Sequence, residues 1–178
     1  MYFAHDTEIA LASASALVNT AEDPDTLTST AELDAFLRRW EWTGDRVGDE
    51  AELAAVRRLR TRLRELWTSS DERRVEVVNL LLRDADALPQ LVRHGTWSWH
   101  LHATPDDAPL HVRMAVEAAM AMADVIRVDE TDRLSICGAP DCAGVVVDLS
   151  KNRSRKYCSV ECGNRVAAAA YRARRAAR

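Results

Sequence analysis

The residues with the clearest chemistry are four cysteines, Cys137, Cys142, Cys158 and Cys162, which form two short-spaced pairs about 20 residues apart and are all the cysteines of the chain. Thiolates at such spacing gather zinc, and four sulfurs leave no open coordination position, so the chemistry is structural rather than catalytic. The Gly138-Ala139-Pro140-Asp141 spacer can turn both sulfurs of the first pair toward one point. Ser159-Val160-Glu161 places Cys158 just before a helix and Cys162 in its first turn, where the partial positive charge of the helix end favours thiolate. Clustered cysteine pairs in a chain of cytosolic character point to metal before disulfides. The expected cofactor is one structural Zn2+. Its binding supplies the folding free energy of so small a module, and chelation is expected to unfold residues 134–178 while leaving the rest standing.

Charge is distributed unevenly around these cysteines. The net charge of −4 combines nine Lys/Arg and only Glu161 in residues 151–178 with 15 bases against 27 acids in residues 1–150. A basic arm on an acidic body is the pattern of a segment that meets a polyanion; the alternative is that the arm docks on the body. At ~100° per residue, the helix after Cys162 gathers Val166, Ala169, Ala170, Ala173 and Ala177 on a side expected to lie against the zinc hairpin. The opposite side carries Asn164, Tyr171, Arg172, Arg175 and Arg178, flanked by Arg165 and Arg174. Guanidinium forks match phosphate, Asn164 and the arginines can read base edges, and Tyr171 can stack or bond phosphate. Lys151, Arg153, Arg155 and Lys156 add a second basic strip.

The elements that must position these groups are mostly helical. Ile9–Val18 forms a short apolar helix. Thr30 is a candidate N-cap for a second, with Leu33, Phe36, Leu37 and Trp40 as its stripe. A loop flanked by Gly44 and Gly48 precedes a long helix from Asp49, which turns Leu53, Val56, Leu59, Leu63 and Leu66 inward and Arg57, Arg58, Arg60, Arg62 and Arg64 outward to solvent. Ser69 with Glu72 reads as a capping box for a helix with Val75, Val78, Leu82 and Ala85 inward, closed by Pro89. Trp97, Trp99, Leu101 and Ala103 alternate with Ser98, His100 and His102, which predicts a strand with the first set buried. Thr104–Asp107 and Pro109 open a further helix with Leu110, Met114, Ala118, Ala121 and Val125 as its stripe. The polar stretch Val128–Arg133 makes a boundary. Leu134–Ile136 is a short strand, and Val145–Val147 with Lys151–Tyr157 reads as a hairpin with Ser150-Lys151-Asn152-Arg153 at its tip.

Other candidates for chemistry are fewer. His100 and His102 share a strand face able to bind a metal or an anion, or to act as a base. Asn19 and Thr20 could line a ligand pocket, though a helix C-cap also explains them. Met114, Met120 and Met122 read as core filler. No nucleophile–base pair, phosphate-cradling glycine loop or acid/base carboxylate pair is recognisable, so an enzyme is not expected. No stretch approaches the ~18 apolar residues of a membrane span, and Met1–Leu17 lacks the basic start of a secretory signal; the expectation is a cytoplasmic protein.

From Cys137 to Arg175, with Cys162-Gly163-Asn164-Arg165 at its centre and Tyr171-Arg172-Ala173-Arg174-Arg175 after it, the sequence resembles the bacterial CGNR zinc fingers. In that family, notably in actinobacteria, the finger closes proteins whose N-terminal part is an ABATE domain, described as a stress-induced transcription regulator. Leu17-Val18-Asn19-Thr20 and the strand at Trp97–His102 resemble that domain. The resemblance implies zinc at the four cysteines and DNA as partner of the finger. One residue fewer between the last two cysteines, and Tyr157 where Trp is frequent, are departures that leave the ligand set intact.

The expected fold is therefore mainly α: a helical domain with a small β element over residues 1–130, then a treble-clef-like four-cysteine zinc finger over 131–178 with a basic helix. The expected function is zinc-dependent DNA binding by a transcription regulator, whose helical part senses a small-molecule ligand or forms a homodimer. The alternative is a protein- or RNA-interaction module. Contacts to about five to seven phosphates predict a log–log salt slope near −4 to −6.

Overall fold

A computed structural model describes residues 3–93 and 98–177. Its elements in chain order are α1 (His5–Asn19), α2 (Thr30–Arg39), α3 (Glu50–Thr68), α4 (Asp71–Asp84), β1 (Gln90–Val92), β2 (His100–His102), α5 (Leu110–Arg127), a single 3-10 turn (Thr131–Arg133), β3 (Leu134–Ile136), β4 (Val145–Val147) and α6 (Val160–Ala176). Helix α5 is the centre of the body and packs against α1, α3 and α4. Its stripe of Leu110, Met114, Ala118, Ala121 and Val125 is buried as the periodicity predicts, and Leu53, Val56, Leu59, Leu63 and Leu66 of α3 face it. Each such leucine contributes roughly 1.5–3 kcal/mol by leaving water. No helix among the described residues is long and apolar enough to cross a membrane.

Helix starts are shifted by one residue from the expected ones. Ser29, not Thr30, caps α2, forming a reciprocal capping box with Glu32. Ser70, not Ser69, caps α4 by accepting from the Arg73 amide. Pro109 occupies the cap position of α5 rather than its first turn. The stripe of α4 is in part the expected one: Val78 is buried and Leu82 packs against the core, but Arg74, Val77 and Leu81 are buried with them and Val75 is exposed. Arg74 is tolerated inside because its guanidinium donates to the carbonyls of Leu66 and Ser69 and pairs with Asp71.

Of the arginines of α3, Arg57, Arg58 and Arg62 are exposed as expected, whereas Arg60 and Arg64 are drawn into the fold. Arg60 is buried and grips Asp25 through two parallel bonds of 2.9 Å. Arg57 also reaches Asp25, Arg62 pairs with Asp84, and Arg64 pairs with Glu22. The Arg60 fork holds the Asp25 carboxyl far below the usual carboxylate range. These pairs pin the loop after α1 onto α3, and with it the end of α1.

Two antiparallel two-stranded sheets complete the fold, and both differ from the expected pairing. Strand β1, which shows no strand pattern in the sequence, pairs with β2 in the register Gln90–His102, Leu91–Leu101, Val92–His100. The faces of β2 are inverted: His100 is buried, while Leu101 and Trp99 are exposed, Trp99 by 66%. The reason is the partner strand, which puts Leu91 beside Leu101 on the outer face; Ala103 is buried as expected. Trp97 lies outside the described residues.

Strand β4 pairs with β3 rather than with Lys151–Tyr157, which is not a strand. Leu134 lies opposite Val147 and Ile136 opposite Val145. Every residue of β4 is buried, and the sides differ: Val145 and Val147 enter the core of the helical body, whereas Val146 enters the small core around Cys137 and Cys162. The polar stretch before β3 is no loose linker. Arg133 is 2% exposed and donates to the carbonyls of Asp148 and Ser150 and to Glu130.

Candidate metal centre and nucleic-acid interface

The four sulfurs come from three local structures. Cys137 directly follows β3, and the turn through Pro140 returns Cys142 toward it, with Cys142 N–H donating to the Ala139 carbonyl. Cys158 precedes α6, and Cys162 lies in its first turn, which Ser159 caps by accepting from the Cys162 amide at 3.2 Å. All four Sγ atoms lie within 4.8 Å of one another. Cys142 and Cys158 are 3.5 Å apart and Cys158 and Cys162 3.7 Å. Zn–S bonds of about 2.3 Å at tetrahedral angles demand S···S separations near ~3.8 Å, so the residues present fit the ion. They hold one structural zinc.

The surroundings suit thiolates. The Cys158 amide donates to Cys137 Sγ and the Gly144 amide to Cys142 Sγ, each at 3.4 Å. Burial opposes ionisation of Cys137, but donation from the Cys158 and Ala139 amides outweighs it and brings the thiol down to about 7. Burial and the neighbouring sulfurs push Cys158 strongly up. Four thiols this close cannot all ionise without a cation among them. Arg165, exposed at the surface, reaches Cys162 Sγ at 3.6 Å and so offsets the charge of a tetrathiolate.

Glycines set the packing of this centre. A Cβ on Gly144 would stand 3.0 Å from Cys158 Sγ, 3.1 Å from Asn19 Oδ1 and 3.3 Å from Cys142 Sγ. The Tyr157 ring covers the site on another side, 3.3 Å from where a Cβ on Gly163 would be. The glycine after Cys162 is thus a contact surface for an aromatic ring.

Asn19 and Thr20 are engaged in hydrogen bonds within the fold. Asn19 Nδ2 donates to the Val145 carbonyl at 2.9 Å, and the Val145 amide donates to Asn19 Oδ1 at 2.6 Å. Thr20 Oγ1 donates to the Leu17 carbonyl and accepts from Arg60. Trp67 Nε1 donates to the Val146 carbonyl at 3.0 Å, Glu22 accepts from the Ala143 amide, and Arg64 donates to the Ala143 carbonyl. The end of α1 and one side of α3 therefore clasp the chain from Ala143 to Val146, next to the zinc ligands. Only Asn19 carried a sequence signal for this; Glu22, Arg64 and Trp67 look like ordinary helix and loop residues.

The basic residues divide into engaged and free. Arg153 pairs with Glu130 at 2.7 Å and Arg155 donates to the carbonyls of Tyr157 and Cys158; both are exposed, as a face toward nucleic acid requires, and they also brace the finger. Lys151, Lys156, Asn164, Arg172, Arg174 and Arg175 are exposed, as is Tyr171 at 55%. Arg178 lies outside the described residues. Helix α6 is anchored only at its start. Val166 is half-buried, but residues 167–177 are exposed on every side, including Ala169, Ala170, Ala173 and Ala177. The alanine stripe was expected to rest on the zinc hairpin; the hairpin is committed to the body through β4, and the helix projects.

His100 and His102 do meet in a cavity, of about 110 Å³, between α1, α5, β2 and the segment after α2. Their Nε2 atoms are 3.2 Å apart, and His100 Nδ1 is 2.7 Å from the Ser98 carbonyl. Trp40, Trp42, Glu117 and Met120 also line it, none of them marked as a site residue by the sequence; Met120, expected as core filler, is a wall residue, while Met114 and Met122 are core.

A helical body clasping a four-cysteine zinc site, with a cationic helix thrown outward from the metal, defines a zinc-finger protein with an N-terminal α-domain. The family model of that domain, ABATE, described as "Putative stress-induced transcription regulator", matches residues 11–129, and the CGNR zinc finger model matches residues 133–175. The chain belongs to the ABATE family and ends in a CGNR zinc finger. A search of curated proteins finds no match.

Proposed function

We propose that the chain is a cytoplasmic, non-enzymatic transcription regulator that grips DNA with α6 and the exposed lysines of the finger, while the helical body senses a small ligand. The single observation that supports this is the projection of α6. From Cys162 to its end the helix extends about 20 Å at 1.5 Å per residue. Arg172, Arg174 and Arg175 form no ion pair among the described residues. An unpacked helix of this length is marginal in water, and a B-DNA major groove ~12 Å wide admits one. The body carries the excess of acid and would stay off the backbone. A homodimer would double the small contact of one finger, and the outer face of β1 and β2, where Leu91 and Leu101 are exposed side by side, suits such pairing.

The test is a titration of the zinc-loaded protein against duplex DNA at several salt concentrations. The double substitution R172A/R175A is expected to weaken binding and to flatten the log–log salt slope by about two. Unchanged affinity removes α6 from the interface. One observation favours a second reading: the uncovered alanine side of α6 could pack against a protein helix. Retention of a cellular partner after nuclease treatment would support that protein-interaction role, and its release would support nucleic acid.

A further inference from the structure

Apart from Tyr171, residues 167–176 of α6 are all alanine or arginine, which are among the best helix formers. Asn164 and Tyr171 break that composition. Each has a helix propensity poorer than alanine, each is exposed, and neither forms a hydrogen bond among the described residues. The stability of helix and finger therefore explains neither. At ~100° per residue the two stand on one face, with Ala167 and Ala168 between them. Arg174 borders this face on one side and Arg172 on the other. The rotation of the face is fixed at its start: Cys162 lies in the first turn, Ser159 caps it, Arg165 reaches Cys162 Sγ and Val166 is half-buried. Asn164 follows two residues after that metal ligand and is presented at a set angle, which recognition of a base edge requires.

We propose that α6 lies in the major groove of B-form DNA with this face inward, and that it reads an A·T-containing core. The Asn164 carboxamide donates to adenine N7 and accepts from the adenine N6 amino group, the pairing its geometry matches. Ala167 and Ala168, bearing only methyl groups, let the backbone come close enough for the short Asn164 side chain to reach, and they pack on the C5-methyl groups of thymine. Tyr171 stands about 10 Å further along the helix at 1.5 Å per residue, which is about three base pairs at 3.4 Å each. Arg172 and Arg174 then face the phosphates of the two groove walls, contacts that position without specifying. Duplex RNA does not fit, because the A-form major groove is too deep and narrow for side chains to read. This readout rests on the DNA-binding reading of α6 and fails separately from it.

The experiment is selection by the full-length, zinc-loaded protein from duplex DNA randomised over about ten base pairs, followed by titration of the selected site. Selected sites are expected to share a block of about four base pairs with an adenine next to thymines. N164A, a change to a better helix former, should bind that site about tenfold or more weakly, the loss of one bidentate pairing. Its affinity for random duplex and its salt slope should stay as in wild type. Replacing the selected adenine by 7-deazaadenine should weaken the wild type by a similar factor and leave N164A unmoved. Deoxyuridine in place of thymine, which removes the methyl group, should weaken both proteins. Duplex RNA of the same sequence should bind no better than random DNA. No shared block, equal response of wild type and N164A to 7-deazaadenine, or RNA held as tightly as the selected DNA overturns the readout, while a steep salt slope lost in R172A/R175A keeps the grip. Unchanged affinity in R172A/R175A takes α6 off the DNA and overturns both.

Discussion

The side-chain amide of Asn19, the last residue of α1, pairs with both backbone polar atoms of Val145 at 2.6 and 2.9 Å. A carboxamide carries a donor and an acceptor on adjacent atoms and so can donate to a carbonyl and accept from an amide of the same residue. Val145 sits three residues after the zinc ligand Cys142 and plants its own side chain in the body core. Replacing Asn19 by Ala leaves both Val145 groups without that partner, at a cost of about 2–4 kcal/mol. Denaturant unfolding should register the loss, and the Val145 amide should exchange with solvent faster. Asn19→Asp keeps the acceptor and loses the donor, placing a charge near two zinc thiolates, and should be no better. Wild-type stability in both variants would show that the clasp is dispensable.

Gly144 is the hinge between that amide and the metal. Because a Cβ there would meet Cys158 Sγ at 3.0 Å and Asn19 Oδ1 at 3.1 Å, it is the closeness of both neighbours that demands glycine. Gly144→Ala should lower zinc affinity, measured by chelator competition, and in the same protein reduce the exchange protection of Val145. A loss of one without the other would mean that the metal site and the clasp are not mechanically joined.

The periodic helices, their buried stripes and the ligand set were legible in the sequence because each is local: a stripe needs one helix, and a zinc knuckle needs two short spacers. Elements set by a remote partner were not. The inverted face of β2 depends on β1, whose outer Leu91 and exposed Gln90 show no alternation of their own. Strand β4 reads as a continuous apolar run because it is buried on both sides, one by the body and one by the finger; that pattern was visible but its second partner was not. Arg60 and Arg153 look like surface charge until Asp25 and Glu130 are brought to them by the fold.

Metal removal separates these layers. The small core around Cys137, Val146 and Cys162 has almost nothing but the ion to hold it, and α6 is tied down only through its first turn. Val145 and Val147, in contrast, belong to the body. Chelation is therefore expected to release residues from about Ser150 onward while β3 and β4 keep part of their protection, a narrower effect than loss of the whole stretch from Leu134. Hydrogen exchange of peptides covering 134–148 and 150–177, with and without chelator, distinguishes the outcomes. Equal loss in both would mean that the hairpin depends on zinc as fully as the helix does.

Glu117 makes the stability of the body depend on pH in a direction opposite to that of a paired carboxylate. Desolvation pushes its carboxyl from the ordinary 4.5 up to about 7, the charge of Asp6 adding to the effect and that of Arg113 opposing it. The folded state thus holds this proton more tightly than the unfolded chain does. Its stabilising contribution is full below pH 4.5 and is lost as pH rises through about 7, where ionisation must occur inside the cavity. Thermal melts of wild type and E117Q should therefore diverge with pH. At pH 5 the two are expected to be close, and at pH 8 the variant should be the more stable by about 1–3 kcal/mol, since an amide never ionises. A constant difference between pH 5 and pH 8 would mean that Glu117 ionises as freely in the folded protein as in water.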